Sequence, residues 1–193
     1  IGLLRSEFLF AGSDVQPTEE QQYEAYLAAA KACDGRPLTI RTLDVGGDKS
    51  LPYIDIPRED NPFLGYRAIR ISLDEEQMFC RQMRAILRAS KVGNIRIMFP
   101  MITTIEELRQ AKMLLDRCRK ELADEGAEFD KSLKVGVMIE TPAAVMIARE
   151  LAAECDFFSI GSNDLTQYVM AADRTNPKVA SLYDSKNIAV MRA

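Results

Sequence analysis

Glu140 and Asp164 are the acids whose placement suggests chemistry: each closely follows a short apolar run, and they stand one strand–helix repeat apart. That spacing would set them at the ends of adjacent parallel strands. Two carboxylates side by side repel unless a cation lies between them. Oxygen ligands with no imidazole or thiol nearby suit Mg2+ or Mn2+, completed by water and substrate oxygens. The plainer alternative is that each acid caps a helix or pairs with an arginine. Arg5 and Arg41, again one repeat apart, lie inside otherwise apolar runs. An arginine there needs a carboxylate of the protein, with Asp44 and Asp48 available, or an anion of a substrate. Arg67 and Arg174, in loop-like surroundings, could join the cluster, although a solvated position is the default for each.

The segment DFFSIGSNDLTQY, Asp156 to Tyr168, reads as an apolar strand turning into a helix. Amides at that helix start, with the Asn163 side chain, could hold an anion while Asp164 holds a metal. Ser-Asn-Asp is equally a good helix cap. The 193 residues contain no histidine. That excludes, within this chain, every nucleophile, general base, zinc site or phosphoryl carrier built on imidazole. Cys33, Cys80, Cys118 and Cys155 form no CxxC pair and read as reduced thiols of a cytoplasmic protein. No apolar run is long enough to cross a bilayer, so no membrane association is expected. A net charge of -4 and a pI near 5.1 argue against nucleic acid as a partner.

Positioning these groups falls to five apolar runs, Ile1–Phe10, Leu38–Leu43, Ile95–Met101, Val135–Ile139 and Phe157–Ile160. Their near-continuous apolar content suits parallel strands buried on both faces. The stretches between carry helix signals. Thr18 with Gln21, Ser72 with Glu75 and Thr104 with Glu107 have capping-box spacing; Thr141 before Pro142 reads as a cap and first helical residue; Gly35 and Gly126 suit helix ends. Repeated strand–helix units leave two architectures, an open doubly wound sheet or a (β/α)8 barrel. No GxGxxG follows the first strand, and several strand ends carry polar groups, as a barrel site requires. Five strands do not close a barrel of eight. The chain is therefore expected to be about five βα units of a larger protein. Asp44–Tyr66, rich in Gly and Pro, is expected to be a functional loop over the barrel mouth.

Together with GLLRSEFLF (2–10), RTLDVGGDKSLPY (41–53), NPFLGYRAIR (61–70), RIMFPMI (96–102) and GVMIETPAA (136–144), DFFSIGSNDLTQY resembles the phosphoenolpyruvate-utilising enzyme family, nearest its enzyme I branch. The resemblance runs in order from residue 1 to about 183; the stretch Asp184–Asn187 departs from it. It implies a TIM barrel binding phosphoenolpyruvate and Mg2+, with residues 1–193 as part of that one domain. Glu140 and Asp164 would ligate the metal. Arg5, Arg41, Asn163 and Arg174 would hold the substrate phosphate and carboxylate, and Arg67 would support the phosphate.

Two parts of that family's machinery do not occur here. The acceptor histidine belongs to a separate N-terminal domain, and the acid cysteine to a Gly-Met-Cys-Gly-like motif that none of the four cysteines matches. No catalytic acceptor or acid is therefore expected within this chain, which should be inactive alone. The resemblance further implies phosphoryl transfer to that histidine and on to the phosphocarrier protein HPr, in sugar uptake, by a homodimer. A dikinase or phosphoenolpyruvate synthase shares the barrel chemistry and is the nearest alternative; a non-catalytic binding or dimerisation module is the alternative of another class.

Overall fold

The computed structural model describes residues 2–11, 14–47 and 51–193. Strands β1 (Leu3–Arg5), β2 (Leu38–Arg41), β3 (Ile95–Phe99), β4 (Lys134–Ile139) and β5 (Phe157–Ile160) form one sheet in the order β1-β2-β3-β4-β5. Every neighbouring pair is parallel, with Ile40 opposite Ile97, Ile97 opposite Val135 and Val137 opposite Phe158. Helices α1 (Glu7–Ala11) and α2 (Glu19–Ala32) follow β1; α3 (Ile69–Asp74) and α4 (Glu76–Ser90) follow β2. Helix α5 (Ile105–Asp124) follows β3, α6 (Pro142–Met146) and α7 (Ala148–Ala152) follow β4, and α8 (Ser162–Met170) and α9 (Ile188–Arg192) follow β5. An open doubly wound sheet reverses its strand order at a switch point. This order never reverses, and the sheet curls as an incomplete TIM barrel. None of the described helices is long and apolar enough to cross a membrane.

The core forms where the apolar faces of α2, α4 and α5 meet the sheet. Ile40, Ile97 and Val137 from the strands are fully buried with Met83, Ile86, Leu108 and Leu115 from the helices. Outside that layer, Arg84 of α4 pairs with Glu19 of α2 at 2.7 Å and with Glu125 just past α5 at 2.7 Å. Ion pairs this near the surface, one part-buried and one exposed, are worth little singly. Fold specification rests on the buried apolar face.

Local signals hold at several helix ends. Thr18 and Thr104 each make both bonds of a capping box, Thr141 accepts from the Ala144 amide, and Pro142 opens α6. At the end of α5, Gly126 takes φ +74° while its N–H bonds Ala123 and that of Ala127 bonds Leu122, closing a Schellman motif. Thr104→Ala removes the hydroxyl that accepts from the Glu107 amide at 3.2 Å. The expected loss is about 1 kcal/mol, read as a lower denaturation midpoint.

Three expectations are corrected. Ser72 caps nothing: it lies buried inside α3, because burial of Ile69 and Ile71 carries the helix start back to Ile69, and the break falls at Glu75. The first apolar run is strand only over Leu3–Arg5; Glu7–Ala11 is helical, with Phe10 buried against Leu43, Val45 and Ile71. Finally, β2, β3 and β4 are largely buried on both faces, whereas β1 and β5 are not. Ile160 is 73% exposed, since no described strand lies outside either edge.

The stretch from Asp44 to Tyr66 contains a single 3-10 turn, Pro62–Leu64, among its described residues and otherwise no helix or strand. It packs through its own small core, where Leu51 joins Phe10 and Val45, and Tyr53 donates to the Phe10 carbonyl at 2.8 Å. Gly46 is required at φ +101°. A Cβ there would sit 2.5 Å from the Arg67 Cβ.

Candidate functional site at the C-terminal ends of the strands

Parallel strands deliver all their C-terminal ends to one edge, so residues far apart in sequence converge there. Arg5 ends β1 and lies opposite Arg41, which ends β2. Met101 follows β3, Glu140 follows β4, and Asn163 and Asp164 sit in the first turn of α8 after β5. Arg5, Arg41, Arg67, Glu140, Asn163, Asp164 and Arg174 all line one cleft of about 210 Å³. A larger cavity, about 870 Å³, lies among Ser90, Gly126 and Lys131 near the ends of α4 and α5. There Ser90 is already satisfied by the Leu87 carbonyl and the Asp130 amide, and no buried charges converge. Convergent polar groups, rather than size, mark a site.

The arginines divide by burial. Arg41 and Arg67 are buried and share one carboxylate: Asp44 Oδ2 lies 3.0 Å from Arg41 and Oδ1 lies 3.0 Å from Arg67. Arg41 also pairs with Glu7, and Arg67 with Asp164 at 3.2 Å. Burial disfavours the Arg67 charge, but Asp44 and Asp164 outweigh it and raise its pKa. Among the described residues the Nε atoms of both guanidinium groups are buried without a hydrogen-bond partner. Arg5 and Arg174 are looser, 3.4 Å from Glu7 and 3.8 Å from Asp164. The Asp48 proposed as a partner lies outside the described residues.

Glu140 is 1% exposed, and its Oε1 accepts from the Met101 amide at 2.7 Å. Met101 presents that amide from a left-handed conformation, φ +56°, costly for a side chain of its size. Burial, with Asp44 and then Asp164 as negative neighbours, pushes the Glu140 pKa up to about 8 against the opposing Met101 amide and Arg41. Neither Glu140 nor Asp164 is a helix cap: Thr141 caps α6, and Gly161 precedes α8 without a capping side chain. The arginine-pairing alternative holds for Asp164.

The donors facing the cleft are oxygens, and a buried carboxylate strained by two like charges is what a divalent cation would relieve. Among the described residues no group of three or more acidic or thiol ligands is arranged to hold a metal alone. Two carboxylates are what Mg2+ uses when water and substrate supply the remaining oxygens.

Several contributors were not anticipated. Glu7, two residues after Arg5, joins Arg5 to Arg41. Tyr168 lies four residues beyond Asp164 on α8, a spacing that puts both on one face. Its hydroxyl accepts from Arg67 at 3.1 Å and donates to the Phe63 carbonyl, tying the long loop to the site. The Phe63 ring sits 5.8 Å from the Arg67 guanidinium and 5.5 Å from that of Arg174. Tyr183 donates to the Asn163 carbonyl at 3.1 Å.

A family model described as "PEP-utilising enzyme, PEP-binding domain" matches residues 1–193. The chain belongs to the PEP-utilising enzymes. It is 53% identical over 194 residues to the phosphoenolpyruvate-protein phosphotransferase of Enterococcus faecalis (strain ATCC 700802 / V583), covering 100% of this chain and 34% of that protein. Proteins of the same name from Staphylococcus carnosus (strain TM300) and Bacillus subtilis (strain 168) are 53% and 50% identical over 192 residues, again covering 100% of this chain and 34% of each. The chain thus spans about a third of the length of the curated relatives it matches.

In this PEP-utilising enzyme domain Gly161 makes room for the buried acid. A Cβ at Gly161 would lie 2.5 Å from Glu140 Oε2 and 2.6 Å from Glu140 Cβ. Gly161→Ala therefore displaces the carboxylate. It should weaken any divalent-cation binding by roughly tenfold to a hundredfold, the range for disturbed ligand support, measured by calorimetric Mg2+ titration.

Proposed function

We propose that this chain is the phosphoenolpyruvate-binding part of an enzyme I, a phosphoenolpyruvate-protein phosphotransferase that needs Mg2+. The observation carrying the reading is the meeting of four arginines, three carboxylates and an asparagine in one cleft. Phosphoenolpyruvate carries a phosphate and a carboxylate, so several guanidinium groups must gather within an acidic protein to receive it. Arg41 and Arg67, fixed by Asp44, offer preset donors, and the looser Arg5 and Arg174 can close on the guest. Holding fixed donors where charge develops is how such sites lower the barrier to phosphoryl transfer. Held by Glu140 and Asp164, Mg2+ would supply positive charge beside the enolate that the transfer leaves behind.

The acceptor in this reading is a histidine outside the chain, which contains none. From there the phosphoryl group passes to HPr, and the protein works as a cytoplasmic homodimer. The names of the curated relatives support this branch over a nucleotide-using dikinase. The test is calorimetry on the full-length protein. Phosphoenolpyruvate should bind in the presence of Mg2+ and at least about tenfold more weakly in a chelator; equal affinities under both conditions would refute the metal site.

A further inference from the structure

Away from the cleft, α4 and α5 pack against each other and bring Cys118 beside Cys80. Cys118 Sγ lies 3.7 Å from the Cys80 carbonyl oxygen. Arg117, beside Cys118 on α5, donates from Nη2 to Cys80 Sγ at 3.0 Å while Nη1 is held 3.1 Å from Glu76 and Nε 3.9 Å from Glu121. Buried cysteines are ordinarily inert small hydrophobes. A guanidinium on one sulfur, with a second thiol against the same residue's carbonyl, is a different arrangement.

We infer that Cys80 and Cys118 form a thiol modification site, in which hydrogen peroxide oxidises Cys80 and Cys118 then closes a disulfide between α4 and α5. The Cys80 pKa is lowered by the Cys118 thiol and Arg117, while that of Cys118 is raised by Cys80 and by burial. The Arg117 guanidinium 3.0 Å from Cys80 Sγ favours the thiolate at that sulfur. Access follows the same order. Cys80 is 8% exposed behind the half-exposed Arg117, and Cys118 is fully buried, so an oxidant from solvent reaches Cys80 first. The Cys80 thiolate attacks one peroxide oxygen, the O–O bond breaks, and hydroxide departs to become water. Cys118 then attacks the resulting sulfenic sulfur, the S–O bond breaks, and a second water leaves. Two thiols lose two electrons and one peroxide gains them.

Cys155 provides the contrast. It is more exposed, but burial raises its pKa and its Sγ donates to the Phe157 carbonyl at 3.6 Å. Exposure alone predicts that Cys155 reacts first; thiolate character predicts Cys80. The experiment titrates the native full-length protein with hydrogen peroxide and maps oxidised peptides with a sulfenic-acid trap. Cys80 should react before Cys155 and Cys33, giving a Cys80–Cys118 disulfide that dithiothreitol reverses. Cys118→Ser should leave trappable sulfenic acid at Cys80. Arg117→Gln, at a half-exposed position, should slow Cys80 oxidation about fivefold. Earlier oxidation of Cys155, no disulfide in the unaltered protein, or an unchanged rate in Arg117→Gln would each overturn the proposal, which is independent of the phosphoenolpyruvate reading.

Discussion

Glu140→Gln should make the metal-free protein more stable near pH 8 while weakening Mg2+-dependent phosphoenolpyruvate binding by about a hundredfold or more. The folded protein raises the Glu140 pKa from 4.5 to about 8. Between those values the native state keeps a proton that the unfolded chain has released. Stability from this group is thus largest at low pH and falls as pH rises through the window. Glutamine has no proton to lose and can still accept from the Met101 amide. The variant's advantage should be near zero at about pH 4.5 and grow to roughly 2–4 kcal/mol at about pH 8 in a chelator. Saturating Mg2+ and phosphoenolpyruvate should reverse the order, because a ligand that binds only the native state stabilises the protein that still binds it. Denaturant curves at the two pH values give the measurement. A constant gap between variant and parent would mean that Glu140 ionises in the folded protein as it does in water.

Asp44→Asn should cost about 3 kcal/mol of stability and weaken phosphoenolpyruvate binding as well. Asp44 is 3% exposed and places one oxygen 3.0 Å from each of two buried guanidinium groups. Removing one partner from such a network leaves buried charge uncompensated, at roughly 3–5 kcal/mol. The lower figure applies because Arg41 keeps Glu7 and Arg67 keeps Asp164. The substitution also removes a negative neighbour that raises the Glu140 pKa, so Glu140 should then titrate lower. Urea midpoints report the stability and a pH series the titration. A loss below about 0.5 kcal/mol would show that solvent reaches these arginines and screens them.

How much was legible beforehand depends on how far each signal reaches along the chain. The capping boxes at Thr18 and Thr104 involve residues three apart, and both form. Ser72 has the same spacing and fails, because burial of Ile69 and Ile71 decides where α3 starts. The run Ile1–Phe10 is apolar on either side of Arg5, Ser6 and Glu7, but a chain that must bury Phe10 against Leu43 and Ile71 turns helical from Glu7. Arg5, Arg41, Glu140, Asn163 and Asp164 stood out because each is a charge or amide in or just after an apolar strand, whereas Arg67 and Arg174 lie outside the strands. The partners of these groups were not legible, because burial demands some partner without naming it.

By itself the sequence determined the strand–helix alternation, several of the helix ends and the residue types that converge at one edge, since period, capping and apolar run length act within a few residues. Tertiary structure alone decided that the strands run in unreversed order, that Arg67 meets Asp164 across 97 residues, and that Tyr168 ties Phe63 to the cleft. Those pairings depend on which ends the folded sheet brings together in a low-dielectric interior, where a charge must find whichever opposite charge the curvature places within reach.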